Sequence, residues 1–385
     1  MKHLKMICRG LLVGCLLTSC AVSKPNPQEP PKSREVARSH VGADLDRLTL
    51  PAGFSIEIYS DQVPGARSMA LGPDGTLYVG TMGDKVYALP DADHDHKPDR
   101  VVEILHDKNT PNGVAMRGKD LYLAEIDKVT CYADIGAHLD APGEGRLVTD
   151  KLPTAKMHGW KFIRFGPDGQ LYVPVGAPGN VLECKDPFAS ILRLKPDTGA
   201  FEVYARGIRN TVGFDWHPKT HELWFTDNGR DMLGDELPPE EVNRAPRAGM
   251  HFGYPYVFGQ NQPDPEFGKK APADLKFTPP EVELEAHVAP LGMRFYTGKM
   301  FPPRYQGSII LATHGSWNRS EPLGYRLVLV ELGQAKPAKS IFIEGWLRNG
   351  KAWGRPVDVE ILDDGSMLVS DDQGGRIYRI TYTKP

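Results

Sequence analysis

The chain has 385 residues, of which 40% are hydrophobic and 25% are charged, and its formal net charge is −3. This is the composition of a folded protein with a sizeable core, and it carries no basic field of the kind that binds nucleic acid. Its 40 glycines and 34 prolines are spread along the chain and are typical of a fold with many turns.

The first 19 residues predict an export signal. A basic start, MKHLKMICRG, is followed by an apolar run, LLVGCLLTSC, that is too short to span a membrane. The residues Leu-Thr-Ser-Cys that end at Cys20 resemble the lipobox of bacterial lipoproteins, which implies cleavage before Cys20 and lipidation of its thiol. We expect an exported lipoprotein on the periplasmic side, and Ala21 favours the outer membrane. An ordinary cleaved signal and an uncleaved anchor are the alternatives.

Residues 20–44 predict a disordered tether, because residues 21–44 hold four prolines and almost no large apolar side chain. Only Cys131 and Cys184 follow Cys20 in the sequence. An oxidising compartment allows a disulfide between them, but two buried thiols are an equal alternative.

A repeated phrase predicts the fold of residues 45–385. LGPDGTLYVGT begins at Leu71, FGPDGQLYVPV at Phe165 and ILDDGSMLVSD at Ile361, with weaker copies from Met116, Trp216 and Arg304. Each copy predicts a β-hairpin. The second strands are predicted to start at Leu77, Leu121, Leu171, Leu223, Ile309 and Met367.

Six hairpins at this spacing predict an all-β protein, a six-bladed β-propeller. The spacing fits a β-sandwich or a β-helix less well. The longest gap, which follows Leu223, predicts an insertion at about residues 231–285. The early strand 54–60 is expected to close the ring against the last blade.

Polar residues recur at the start of the first strand of several blades. When the copies are aligned on the turn, His158, Arg209, Asn210 and Arg355 share this position, with Asn112 nearby in the second hairpin. In a propeller the first strands line the central channel. We therefore expect these side chains to meet at one end of the channel, which we call the mouth, and to form a binding or catalytic site.

Acidic residues recur at a second position, near the end of the second strands. Glu125, Asp227 and Asp371 are related in this way, and Asn228 and His314 lie one position further on. Such acids either belong to the site or cap strand ends by structural hydrogen bonds.

The loop DADHDHKPDR is a separate metal candidate. Asp91, Asp93, Asp95 and Asp99 are spaced like the start of a calcium loop, although the glycine and glutamate of an EF-hand are missing. His94 and His96 suggest a transition metal as an alternative, and an acidic solvent loop is a third interpretation.

The motifs HGWKFIRFGPDGQLYVPVGAP, ARGIRNTVGFDWHP, LWFTDNGRD, HGSWNR and WGRPVDV resemble those of the glucose/sorbosone dehydrogenases. The resemblance covers about residues 48–383 and is strongest to the L-sorbosone dehydrogenase branch. It implies an exported six-bladed propeller that uses pyrroloquinoline quinone (PQQ) to oxidise a small sugar or sugar aldehyde, with calcium in the soluble glucose enzymes. The sequence has no Cys-x-x-Cys-His haem motif, so a separate electron acceptor is implied.

The resemblance also implies residue roles. His158 matches the catalytic histidine, Arg209 and Asn210 match the pair at the quinone carbonyls, and Arg355 matches an arginine that binds a cofactor carboxylate. The main chain of Asn228, Gly229 and Arg230 matches the calcium-binding segment.

The chain departs from the pattern at three places. One is the aromatic pair that stacks on the quinone before the fifth blade, which has no clear counterpart here and is replaced by His287. Val357 stands where the glucose enzymes have a second arginine, and the lysine of the fifth blade is missing. His314, Asn318 or Arg319 are its candidate substitutes, and Arg67 is a further candidate for the cofactor carboxylates. Four aromatic residues offer either pocket walls or core packing: Trp160, Trp317, Tyr325 and Trp353.

The chemistry suits these residues. A neutral imidazole accepts the hydroxyl proton, a hydride passes to the quinone, and a cation stabilises the charge that develops on the quinone oxygen. Two other functions stay open. One is a calcium-dependent lactonase that uses Glu125, Asp227 and Asp371, and the other is a non-catalytic propeller that binds a ligand or partner.

Overall fold

The structure is a computed structural model and describes residues 34–35, 45–333 and 336–385. The predicted signal peptide and Cys20 lie outside the described residues. Of the predicted tether only Arg34–Glu35 is described, and it pairs with the outer strand of the first blade.

Six antiparallel sheets form the predicted six-bladed β-propeller. Within each blade the first strand lies innermost, and inner strands of neighbouring blades contact one another. Blade one comprises Ala66–Leu71, Leu77–Thr81, Val86–Leu89 and Val102–Leu105. Blade two comprises Gly113–Arg117, Asp120–Ala124, Val129–Tyr132 and Arg146–Thr149. Blade three comprises Arg164–Phe165, Leu171–Val175, Ser190–Leu194 and Phe201–Arg206. Blade four comprises Phe214–Trp216, Leu223–Asp227, Glu240–Ala245 and Val282–Leu284. Blade five comprises Pro290–Phe295, Ile309–Thr313, Arg326–Glu331 and Ala338–Glu344. Blade six comprises Pro356–Ile361, Met367–Asp371, Arg376–Tyr382 and Phe54–Ser60.

Short elements decorate the blades. Met250–His251 runs parallel to the outer strand of blade three. Two small hairpins are formed by Val257–Phe258 with Gln262–Pro263 and by Leu347–Arg348 with Lys351–Ala352. The 3-10 helices are Leu45–Arg47, Ile135–His138, Gly268–Lys270 and Pro303–Tyr305. None of the helices in the described residues is long and apolar enough to cross a membrane.

The repeated phrase folds as predicted. Second strands start at the predicted residue in five blades, and in blade two the strand starts one residue earlier, at Asp120. The turn glycines of the three strong copies, Gly75, Gly169 and Gly365, have φ of 82°, 71° and 85°. Only glycine adopts this left-handed conformation without a steric cost, which explains why the phrase ends its turn with glycine.

The strand Phe54–Ser60 closes the ring, as expected. It pairs antiparallel with the last strand of the chain, from Phe54 opposite Tyr382 to Ser60 opposite Ile377. Its Phe54 side chain packs edge-on against Phe301 and Phe342, with ring centroids 4.8 and 5.1 Å apart.

Apolar layers between blades form the core, and buried carboxylates link the inner strands. Between blades one and six, for example, Leu77 and Val79 pack with Leu368. Asp215 of blade four accepts a hydrogen bond from the Phe295 amide of blade five at 2.9 Å. Asp358 of blade six accepts one from the Met69 amide of blade one at 3.0 Å. These bonds join adjacent blades around the axis.

The insertion prediction needs correction, because residues 231–285 are not one continuous excursion. Glu240–Ala245 and Val282–Leu284 are the third and fourth strands of blade four. The extra chain is therefore split into a loop at 228–239 and a longer segment at 246–281. The sequence could not place these strands, because neither contains the repeated phrase. Cys131 and Cys184 are unpaired in the structure.

Candidate active site

His158 presents a neutral imidazole at the mouth of the channel. Its Nδ1 lies 2.7 Å from the Ala177 carbonyl oxygen, and because a carbonyl only accepts, Nδ1 carries the proton. Nε2 is then an acceptor, and it has no hydrogen-bond partner in the described chain. Burial lowers the pKa of His158 to about 4, and the nearby Arg209 charge lowers it in the same direction. The ring is therefore neutral at neutral pH and can take up a proton.

Arg209 and Asn210 are placed by a carboxylate at the end of the next strand. Asp227 accepts hydrogen bonds from both backbone amides, at 3.0 and 2.7 Å. The Ala177 amide donates to the Arg209 carbonyl at 2.8 Å, so Ala177 holds both His158 and Arg209. The carboxamide of Asn210 has no hydrogen-bond partner among residues 45–333 and 336–385, which leaves its donor and acceptor groups available to a ligand.

Gly176 is the point at which these residues meet. A Cβ atom at this position would lie 2.5 Å from the His158 Cβ and 3.2 Å from the Asn210 Oδ1. No larger residue fits between the imidazole and the carboxamide. The structure thus brings His158, Arg209 and Asn210 together, while their catalytic roles stay a prediction.

Oxygen atoms from two loops surround the Arg209 guanidinium. Nε donates to the Asn180 carbonyl at 2.9 Å and Nη1 to the Asn228 carbonyl at 3.1 Å. Nη2 donates to Asn180 Oδ1 at 3.1 Å and to Asp231 Oδ2 at 2.9 Å. Four of the five N–H groups are thereby used, and one on Nη1 is left. Sequence reasoning missed Asn180 and Asp231, which lie in loops outside the repeated phrase.

A second polar network joins blades one, five and six. Asp372 accepts from His314 Nε2 at 2.9 Å and from Arg67 Nη1 at 2.9 Å. Burial alone would raise the pKa of Asp372, but the His314 hydrogen bond and the neighbouring positive charges hold it at about 2. Arg355 donates to the carbonyls of His314 and Gly315 at 3.1 and 3.2 Å. Three of its N–H groups are therefore left for a ligand.

Two of the other predicted cofactor residues, Asn112 and Arg319, are already engaged by groups of the protein. Asn112 is fully buried and bonds Arg67, the Ser68 hydroxyl and the Lys161 carbonyl, so it links inner strands and has no group left for a cofactor. Arg319 donates to carbonyls of Asp235 and Ala286 and pairs with Glu236. It therefore fastens the blade-five loop to the blade-four loop. Asn318 has a buried amide nitrogen without a partner in the described residues.

Lys161 is a buried cation that sequence reasoning did not single out. Its side chain is 1% exposed and its ammonium donates to the Gly159 carbonyl, one residue from His158. Burial lowers the pKa of Lys161 to about 8, although the Asp127 charge acts in the opposite direction. No spacing rule distinguishes a buried lysine from an exposed one, so the sequence alone gave no signal.

The repeated acids cap strand starts. Glu125 accepts from the Asn109 amide at 2.7 Å, and Asp371 accepts from the Arg355 amide at 2.8 Å, as Asp227 does for its two amides. In blades two, four and six, a carboxylate near the end of the second strand thus accepts a hydrogen bond from a backbone amide that precedes the first strand. Among the residues described, these acids do not group as metal ligands.

Aromatic residues line part of the mouth. Trp160 lies under Arg67 at 5.5 Å and Tyr325 under Arg355 at 5.8 Å. Trp317 is 68% exposed, whereas Trp353 donates to the Gly345 carbonyl and belongs to the core between blades five and six. Val357 is buried against Val212 and Leu291, so the position of the second arginine is apolar here.

Buried acids lie beyond Asp227 on the third strand of blade four. Burial raises the pKa of Asp227 to about 7 and of Glu240 and Glu241 to about 8. Glu241 stands directly opposite Asp227 in the sheet. Because like charges on opposite strands repel, this region favours protonated acids at neutral pH.

The predicted calcium sites differ in how well they fit. At Asn228, Gly229 and Arg230, the Asn228 carbonyl already accepts from Arg209 and the Arg230 side chain pairs with Asp264 and Glu266, so this set fits calcium poorly. In the surface loop, the carboxylates of Asp91, Asp93 and Asp95 lie within 4.8 Å of one another. The fourth, Asp99, instead accepts from the Ala92 amide, and His96 contacts Asp363 of blade six.

The donor set at the mouth fits PQQ. Arg355, the remaining Arg209 N–H and the Asn210 carboxamide offer hydrogen-bond donors to an anionic, planar molecule, and Tyr325 offers a flat surface. Buried positive charge from Arg67 and Lys161 adds to the attraction. The residues at the mouth thus match PQQ in their hydrogen-bonding groups and in their charge.

Comparisons with known proteins bear on the family and the fold of the chain. The family model described as Glucose / Sorbosone dehydrogenase matches residues 146–379. An uncharacterised protein of Borreliella burgdorferi is 35% identical over 353 residues, which cover 88% of this chain and 91% of that protein.

Solved structures share the fold. An enzyme of Carbohydrate-Active Enzymes family AA12 from Trichoderma reesei superposes with a TM-score of 0.75 and 20% identity, covering 90% of this chain and all of that one. The PQQ domain of pyranose dehydrogenase from Coprinopsis cinerea, in its holo form, gives 0.71 and 20%, with coverage of 87% and 97%. The PQQ-bound aldose sugar dehydrogenase of Streptomyces coelicolor gives 0.62 and 19%, with coverage of 87% and 100%.

Proposed function

Because the chain belongs to the glucose/sorbosone dehydrogenase family, we propose that it is a PQQ-dependent oxidoreductase that oxidises a sugar or sugar aldehyde at the mouth of its channel. One observation carries the proposal. A neutral His158 with a free Nε2 stands beside Arg209 and Asn210 across Gly176. The family and the neighbour described as an aldose sugar dehydrogenase support the proposal of an aldose or sorbosone type of substrate.

In the proposed reaction His158 acts as the general base. Its Nε2 accepts the proton of the substrate hydroxyl, or of the hydrate when the substrate is an aldehyde. The Ala177 carbonyl holds Nδ1–H and thereby fixes the tautomer and the direction of the ring. PQQ, when bound, would supply the acceptor for the hydride that leaves the carbon bearing this hydroxyl group.

In this proposal Arg209, Asn210 and Arg355 bind and orient the quinone. The guanidinium of Arg209 is rigidly held and stabilises negative charge at the mouth without reorganising. Asn210 donates from its unpaired carboxamide, and Arg355 offers a planar donor fork to a carboxylate. Lys161 adds a buried positive charge close to the His158 turn.

We also propose where the reaction takes place. The lipobox at Cys20 supports an exported lipoprotein that is held at the periplasmic side of the outer membrane by its lipid alone. A separate electron acceptor then takes the electrons, because the sequence contains no haem-attachment motif.

Reconstitution tests the proposal. Purified protein is mixed with PQQ and assayed for a bound-quinone spectrum and for dye reduction with a panel of aldoses and sorbosone. We expect both signals. In His158→Ala we expect a loss of turnover of about a thousandfold with the quinone spectrum retained. The matched control His106→Ala, at a partly exposed histidine, should leave turnover unchanged. Turnover by His158→Ala at the wild-type rate would rule out its role as the base.

A non-catalytic binding propeller is the second candidate, and one observation favours it. The buried Val357 replaces an arginine of the glucose enzymes by an apolar side chain. That function predicts neither a quinone spectrum nor dye reduction in the same assay.

A further inference from the structure

Arg209 is a buried cation that precedes the first strand of blade four and is held by Asp227 at the end of the second strand. Four oxygen atoms converge on the Arg209 guanidinium, at 2.9 to 3.1 Å from its nitrogens: the carbonyls of Asn180 and Asn228, Asn180 Oδ1 and Asp231 Oδ2. We call these atoms the oxygen cage. They include main-chain, carboxamide and carboxylate oxygens, which is the kind of ligand set that proteins offer to calcium.

The oxygen cage is built independently of the guanidinium. Asn180 Oδ1 accepts from the Asp231 amide at 2.8 Å, and Asn180 Nδ2 donates to the Asp231 carbonyl at 3.1 Å. These two bonds join the blade-three and blade-four loops. Asn228 is fixed in turn by its side chain, which donates to the carbonyls of Asn210 and Pro290.

Arg209 enters the oxygen cage as its only cation among the described residues. Its side chain is 7% exposed, and that of Asp231 is 16% exposed. A divalent ion and a guanidinium cannot share these four oxygens, because each oxygen is already within hydrogen-bond distance of a guanidinium nitrogen and like charges repel. The nearby Arg230 guanidinium is held away from the cage by Asp264 and Glu266.

We propose that the Arg209 guanidinium fills this cation site in place of calcium, with Asn180 and Asp231 as the residues that position it. The part of this proposal that concerns the quinone rests on the proposed function. There, the fixed guanidinium supplies the positive charge at the mouth, and PQQ binds without calcium.

The first experiment uses neither quinone nor substrate. Arg209→Ala removes the guanidinium but keeps the backbone amide and carbonyl that bond Asp227 and Ala177, so the turn is expected to fold. Metal-stripped wild type and variant are equilibrated with calcium, and bound metal is counted. The wild type provides the baseline for calcium bound elsewhere, such as the Asp91 loop.

We expect Arg209→Ala to bind one calcium ion per chain more than the wild type and to melt at a higher temperature when calcium is added. The double variant Arg209→Ala, Asp231→Asn should lose the additional ion. Arg206→Ala, an exposed arginine that pairs with the single carboxylate of Asp186, is the control and should gain none. A folded Arg209→Ala without additional calcium overturns the proposal.

The second experiment stays valid if Arg209→Ala does not fold. Metal-stripped wild type is titrated with PQQ, followed by absorbance, in the presence of either calcium or a chelator. We expect dissociation constants that agree within twofold. Tightening by calcium of tenfold or more would overturn the proposal. If PQQ does not bind under either condition, the proposed function fails, and the calcium count alone decides the cation site.

Discussion

The most direct consequence of the site geometry is the acidity of His158. Burial and the adjacent Arg209 charge lower its pKa from 6.5 to about 4. This difference corresponds to about 3 kcal/mol in favour of the neutral ring. At pH 5.5 an unperturbed imidazole is protonated by about ten to one, whereas His158 should be neutral by about thirty to one.

Nuclear magnetic resonance of the ring nitrogens measures this value without cofactor or substrate. The His158 signals are assigned by their loss in His158→Gln, and the urea-unfolded protein supplies the reference. We expect a midpoint near pH 4 in the folded chain. Because the folded pKa lies below the unfolded one, this residue makes the fold less stable as pH falls from about 6.5 to about 4. A folded-state midpoint near 6.5 would refute the argument from burial and charge.

Two further predictions concern stability. Burial raises the pKa of Glu241 from 4.5 to about 8, so its contribution to stability declines as pH rises between these values. At pH 9 the free energy of unfolding of Glu241→Gln, measured in urea, should therefore exceed that of the wild type by about 2 to 4 kcal/mol, and at pH 4 it should not. The exposed control Glu202→Gln should show no such gain at pH 9. Equal unfolding curves for Glu241→Gln and the wild type at pH 9 would contradict the prediction. Phe54→Ala should cost about 2 to 3 kcal/mol, because the ring packs among the aromatic residues where the propeller closes; an unchanged urea midpoint would show that this contact does not secure the closure.

The fold was predictable because its information is repeated. Each strong copy carries a turn glycine and an apolar second strand, so an error in one copy is corrected by the others. The third and fourth strands of blade four lack the phrase, and the predicted insertion therefore included them. Outer strands depend on partners that are distant in sequence, and short-range patterns do not specify them.

The site was predictable where it coincides with the repeat. His158, Arg209 and Asn210 stand at positions related by the repeat and lie together in the structure, while their roles stay a prediction. Asn180 and Asp231 were missed because loops have no register that predicts their contacts. Arg319 was expected at the cofactor, but it fastens two loops, since the sequence shows a cation without showing which oxygens surround it.

The closing strand makes closure of the ring depend on pairing between two strands that lie far apart in the sequence. Phe54–Ser60 is synthesised before the first strand of blade one, whereas its partner Arg376–Tyr382 is synthesised after the first two strands of blade six. Until then the sixth sheet has an unsatisfied edge, and contacts over so long a stretch of chain form slowly. Deletion of Arg376–Tyr382 would remove the partner strand and leave the ring open.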